Sequence, residues 1–318
     1  MKERNPNKIT IIEFDFFSMT TDAERLKLYE YAKNIELTQN DCLLEFGVYF
    51  GGSLEALAEG LQKNKKYGKH KLIGIDNFET AINGEFAKIL IDDAIRIGID
   101  NKLKTKDSVI SWFDYVNDNF RKYENVHILQ NKASEYIHNF GSIALIHFDL
   151  PKFFREMQEI LNKCIPYIKD DCIFIFQDFF YHWSAETIAF IYYLIKNSII
   201  KFEYGVSSSL ICRNNSLKIY HLEYFNKILQ DPMLIVTLLD ECHDFLRENN
   251  FCGARVIYAE EFYIAIIQYS TMHNFIEMKK KYESILNKII TKYGEKVFDE
   301  VKKYNYNLID IYKKDLNI

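Results

Sequence analysis

The sequence predicts an α/β chain built on a doubly wound, mostly parallel sheet, and three observations carry this. Short runs that are apolar at nearly every position, such as CLLEF (42–46), KLIGID (71–76), ALIHFD (144–149) and CIFIFQD (172–178), read as strands buried on both faces. Longer stretches with apolar residues at helical spacing separate them. The two patterns alternate along the chain, and right-handed crossovers turn such alternation into a sheet with helices on both sides. The expected architecture is a Rossmann-like sandwich over residues 40–222.

In order, residues 1–20 are a polar start followed by IIEFDFFSM, an arm or edge segment. Thr21 to Ile35 is a helix, opened by Thr21 and Glu24 at capping-box spacing. CLLEF is the first strand. Ser53 to Asn64 is helical, with Leu54, Leu57 and Leu61 on one face. KLIGID is the second strand, and residues 81–99 and 107–123 read as helices. VHIL (126–129) is a strand and Ala133 to Phe140 a short helix. ALIHFD, a helix over 153–168, CIFIFQD and a helix over 185–198 continue the alternation. FEYGV, SLICR and KIYHL read as short final strands. Residues 223–318 change character to helical patterns, read either as a solvated extension or as an oligomerisation or substrate-covering subdomain. The division is therefore an arm and helix (1–40), a main domain (41–222) and a helical extension (223–318).

Composition excludes several classes. The 318 residues carry 40 Lys+Arg against 45 Asp+Glu, a formal charge of −5, which argues against nucleic acid as a partner. Twelve glycines and four prolines are too few for a disordered or collagen-like chain. No CxxC pair or zinc-like spacing occurs among the six cysteines, which read as buried apolar residues of a reducing compartment. No apolar run reaches membrane-spanning length and the first residues are polar, so the expected location is cytoplasmic, away from membranes. Aromatics reach 15%, with 22 Tyr and 25 Phe. Most fit compositional drift; one cluster, Phe148, Phe153, Phe179, Phe180, Tyr181 and Trp183, flanks the expected mouth of the sheet.

The strongest chemical signal is LLEFGVYFGGSLEALA (43–58). A strand ends near Glu45, a turn containing Gly47, Gly51 and Gly52 follows, and a helix opens at Ser53. Glycines let a ligand approach the backbone, and the helix start offers free N–H groups. The loop is neither GxGxxG nor GxxxxGK[ST], so a dinucleotide or nucleoside triphosphate is disfavoured. Glu45 suits a ligand ammonium group. Asp76, ending the second strand in GIDNFET, can accept from both hydroxyls of a ribose or can serve as a helix N-cap.

Four separated stretches, ERLKLYEYAKNIELTQNDCLLEFGVYFGGSLEALA, LIGIDNFE, IALIHFDLPKFFREMQEIL and PYIKDDCIFIFQDF, together resemble the macrocin/mycinamicin O-methyltransferase family, over roughly residues 22–213. The resemblance implies a class I S-adenosylmethionine-dependent enzyme acting on a hydroxyl of a sugar or glycosylated small molecule. It places the methionine part of the cofactor at Glu45, Gly47, Gly51, Gly52 and Ser53, the ribose at Asp76, and the adenine near LQNKASEYI, with Gln130, Asn131 and Lys132 as candidates. It also implies a magnesium ion beside the substrate, held by Asp149, Gln177 and Asp178. The sequence departs from the family there: Gln177–Asp178 stands for an Asp-Asp pair, and Asp149-Leu150-Pro151 for D-G-D. Three readings stay open: a retained metal, a metal-free site with a side-chain base, and a degenerate site used for binding only. His182, on the loop after the strand, and Asp149 are the candidate bases; His147 reads as either a base or a core histidine.

Overall fold

The computed structural model describes residues 14–65, 70–150, 153–180, 185–249 and 256–293. Helix α1 (Asp22–Asn34) leads to β1 (Asp41–Phe46), α2 (Gly52–Gln62), β2 (Lys71–Asp76), β3 (Glu79–Ala81), α3 (Glu85–Arg96), β4 (Lys104–Lys106), β5 (Val109–Ser111), α4 (Phe113–Phe120), β6 (Val126–Gln130) and β7 (Ser142–Phe148). Then come α5 (Phe154–Cys164), β8 (Ile168–Phe176), α6 (Ala185–Lys196), β9 (Ile200–Val206), β10 (Ser209–Asn214), α7 (Ile219–Ile228), α8 (Pro232–Glu248), α9 (Val256–Met272) and α10 (Ile276–Tyr293). The main sheet has seven strands in the order β6-β2-β1-β7-β8-β10-β9. β1 pairs in parallel with β2 and β7, and β2 with β6, while β9 and β10 form an antiparallel hairpin. This is the mostly parallel, Rossmann-like sheet that the alternation predicts. No described helix is long and apolar enough to cross a membrane.

The chain divides into two compact units, residues 1–150 with 167–174, and residues 151–166 with 175–318. In the first, every residue of β1 is buried, because parallel neighbours and helices cover both its edges and faces. Helix α1 starts as its sequence dictates: Thr21 and Glu24 cap each other. It packs on α2 through an ion pair out of water, Arg25 to Glu55 at 3.0 Å. Arg25 also donates to the Gly52 carbonyl, and Glu55 accepts from the backbone N–H groups of Asp15 and Phe16. Residues 15–18 thus lie along the start of α2, where a Cβ on Gly52 would collide with Ser18.

Three expectations fail in this unit for one reason: elements of three residues show no periodicity. The stretches read as helices over 81–99 and 107–123 hold α3 and α4, but the strands of a small antiparallel sheet, β3-β5-β4, fall at their starts (β3, β5) and between them (β4). Its β4–β5 turn uses Asp107 and Ser108, both at positive φ (49° and 63°), without the glycine that usually marks such a hairpin. The helix expected over 133–140 is a single 3-10 turn, Ala133–Glu135. Beyond it the chain is held by His138, whose ring bonds the Tyr136 hydroxyl and the Gly141 carbonyl.

In the second unit, Phe154, Phe190 and Phe225 meet at centroid distances of 4.9–5.1 Å and knit α5, α6 and α7 together. KIYHL, read as a strand, opens α7 instead; His221 Nδ1 accepts from the Lys218 N–H and fixes the first turn. The C-terminal pattern divides at Asn274 (φ 59°), which ends α9 before α10 begins.

His243, on α8, is buried against the rings of Tyr263 on α9 and Tyr282 on α10. Burial holds its pKa below the ordinary imidazole value; Asp244 and Asp240 raise it, Arg247 and Lys281 lower it, and burial wins. A depressed histidine binds its proton more readily when unfolded, so its contribution is complete above a pH of about 6.5 and is lost as the pH falls through that value. We expect the melting temperature to fall from pH 8.0 to 5.5, and His243→Phe to narrow that gap. An unchanged gap would show that protonation here is not coupled to folding.

Candidate active site

The site is built at the carboxyl ends of β1, β2, β6 and β7, where ligands of open parallel sheets bind. Glu45 is 0% exposed. Its Oε1 accepts from the Ser53 hydroxyl at 2.6 Å, across the loop from strand to helix. Its Oε2 has no hydrogen-bond partner and lies 3.4 Å from His147 Nδ1, on the register-paired residue of β7. A buried carboxylate oxygen left open is costly unless a donor arrives, and a ligand ammonium group is such a donor. Gly47 and Gly51 both have φ above +90°, where a side chain is strained. A Cβ on Gly47 would also lie 2.9 Å from the backbone of Asp149 and Leu150. That contact, with the 2.8 Å bond from Asp149 N–H to the Phe46 carbonyl, sets Asp149 directly beside the loop. These residues fit the methionine end of S-adenosylmethionine.

Asp76 opens no helix, so it is not the N-cap that one sequence reading offered; it braces the glycine loop. It is 8% exposed. Its Oδ2 accepts from the N–H groups of Val48 and Tyr49, each at 2.9 Å, and its Oδ1 from Phe78 N–H at 2.9 Å. A carboxylate has about four acceptor positions, so three of them go to shaping the glycine loop. Burial pushes its pKa up and the backbone donors only partly offset that. The ribose role assigned to Asp76 from the resemblance therefore lacks the acceptor capacity it needs. Asn131 sits nearby, its N–H donating to the Asp76 carbonyl at 2.9 Å.

The loop has an aromatic wall that the sequence reading missed. Tyr49, at φ 51°, touches Phe17, Phe50, Phe86 and Trp112, donates its hydroxyl to Asp93, and accepts from the Trp112 indole through its carbonyl. The signal was the VYF directly before the double glycine. Of the aromatics expected at the mouth, Phe148, Phe179 and Phe180 are core residues, and Phe180 packs on Phe179 and Phe262. Phe153 is 57% exposed. Tyr181, His182 and Trp183 lie outside the described residues, as does Pro151.

Gln177 and Asp178 follow β8 in the second unit. There Ser209 donates to Gln177 Oε1 at 2.7 Å, Gln177 Nε2 to Ser208 Oγ at 3.3 Å, and Ser208 to Asp178 Oδ1 at 3.1 Å. Among the described residues, no group of three or more His, Cys, Asp or Glu side chains converges to hold a metal. The donor set expected for magnesium does not fit: an amide replaces one acid, and its oxygen is already engaged by Ser209. His147, a candidate base, is 0% exposed, inside the sheet with Glu45.

Residues 44–179 match the protein family described as "Methyltransferase domain". No curated protein matches the chain in sequence. Among solved structures it is similar to the O-methyltransferase NovP (15% identity, TM-score 0.41, covering 61% of this chain and 78% of that one). It is also similar to CalS11, a TDP-rhamnose 3'-O-methyltransferase of calicheamicin biosynthesis (18%, 0.38, 59% and 76%), and to an rRNA methylase from Streptococcus thermophilus (12%, 0.36, 63% and 100%). Residues 44–179 thus match a methyltransferase domain, and they carry the glycine loop and the buried acid on a mostly parallel sheet of Rossmann-like fold.

Proposed function

We propose that this enzyme transfers a methyl group to a hydroxyl of a sugar or glycosylated small molecule, such as a nucleotide-sugar or polysaccharide precursor. Residues 41–222 serve as the catalytic domain and 223–318 as a helical extension. The observation that carries methyl transfer is the open, buried Oε2 of Glu45 beside the glycine loop. The choice of a sugar hydroxyl rests on the family resemblance of the four motifs.

S-adenosylmethionine supplies, when bound, a methyl group on a positively charged sulfur. Glu45 binds its ammonium group, Gly47 and Gly51 shape the loop beside it, and Asn131 lies toward the adenine. Asp149, half-buried beside Gly47, takes the proton of the acceptor hydroxyl. Holding acceptor and donor in line contributes more than any new bond to the protein. No step runs through a metal.

The test is incubation with cofactor carrying a labelled methyl group and a panel of nucleotide-sugars, with and without EDTA. We expect label on a sugar in both conditions, and Asp149→Asn to lower kcat by about 10²- to 10⁴-fold. Label on no sugar overturns the acceptor class. Binding of S-adenosylhomocysteine without transfer to any acceptor leaves a binding protein on the same scaffold. Loss of activity in EDTA, restored by magnesium, overturns the metal-free base.

A further inference from the structure

We propose that Glu79, held by Gln130, is the acceptor for the ribose hydroxyls of the bound cofactor, in place of Asp76. The inference rests on the methyltransferase reading and specifies who recognises the sugar of its cofactor. Asp76 ends β2 where a ribose acid is expected, but its oxygens face the loop and receive three backbone N–H groups, which leaves fewer positions than a diol needs. Two further hydroxyl donors would have to displace a bond that holds the turn.

Three residues on, β3 begins at Glu79, whose side chain is exposed. Its Oε1 accepts from Gln130 Nε2 at 3.0 Å, and the same amide reaches the Asn77 carbonyl at 3.2 Å. Gln130 ends β6 and is the register partner of Asp76. The amide therefore pins an exposed carboxylate over the carboxyl ends of β2 and β6. That is the side of β1 away from β7, hence away from Asp149, where the nucleoside half belongs if the methyl group is to face Asp149. Glu79 Oε1 has one bond from Gln130 and capacity for another, and both oxygens can accept from a vicinal diol in the two-pronged way that makes charge-assisted hydrogen bonds strong.

The test is calorimetric titration of S-adenosylhomocysteine and its 2'-deoxy analogue into the wild-type chain, Glu79→Ala, Glu79→Gln and Gln130→Ala. Wild type should prefer the ribose compound. Glu79→Ala should bind it about ten- to a hundredfold more weakly and lose the preference, with an unchanged ligand-free melting temperature because the residue is exposed. Gln130→Ala should show a smaller loss in the same direction, and Glu79→Gln an intermediate one. Wild-type binding with Glu79→Ala unimpaired, or with its preference for ribose intact, overturns the inference alone. No binding by wild type overturns the methyltransferase reading and this inference together.

Discussion

Replacing Asp76 by alanine should melt the site rather than weaken one contact. Three backbone N–H groups, those of Val48, Tyr49 and Phe78, lose one shared acceptor inside the protein. A buried donor left unpaired costs about 1–3 kcal/mol, and water entering the loop recovers part of that. The net loss should be about 3 kcal/mol or more, read as a fall in the melting temperature of the ligand-free protein. Affinity for S-adenosylhomocysteine should fall with it, since Tyr49 at positive φ keeps its shape only while the carboxylate holds it. Asp76→Asn should do nearly as badly, because an amide brings its own N–H groups against those donors. This separates Asp76 from Glu79, whose loss should affect binding alone. A ligand-free Asp76→Ala protein as stable as wild type, with weaker binding, would return the ribose role to Asp76.

Removing the guanidinium of Arg25 should be comparably damaging. Arg25 and Glu55 are both buried, and burial alone pushes the arginine pKa down and the glutamate pKa up. Breaking such a pair typically costs about 3–5 kcal/mol, because the surviving charge stays out of water. Two backbone donors and Lys122, 4.0 Å away, still face Glu55, so Arg25→Ala should fall at the low end, about 3 kcal/mol. The decisive comparison adds Glu55→Gln. The double variant should melt higher than Arg25→Ala, since no charge is stranded, although the single amide oxygen keeps only one of the two backbone donors, Asp15 or Phe16. If it melts lower, the ion pair is not what fixes the arm to α2.

The sheet was legible in the sequence because its signal is redundant. β1, β2, β7 and β8 are apolar at most positions, as burial on both faces demands. The start of α1 was legible because Thr21 and Glu24 act within one turn. The glycine loop was legible too: Gly47 and Gly51 are required by their own backbone angles. β3, β4 and β5 were not, being three residues each and held by partners 28 to 32 positions away for β3 and β5. Nor was α7, whose first turn depends on one histidine ring.

What the sequence determined by itself is the α/β architecture, the turn that carries the glycines, and the residue types at the strand ends. These follow from local spacing and from burial, which a linear pattern records. What only the tertiary structure decided is how each carboxylate is spent. Glu45 keeps one oxygen open beside the loop, Asp76 gives most of its capacity to backbone N–H groups, Asp178 is tied to Ser208, and Glu79 is held outward by Gln130. The physical reason is that an acceptor's availability depends on which donors the fold brings within about 3 Å of it, and those donors come from parts of the chain whose distance in sequence carries no trace of the meeting.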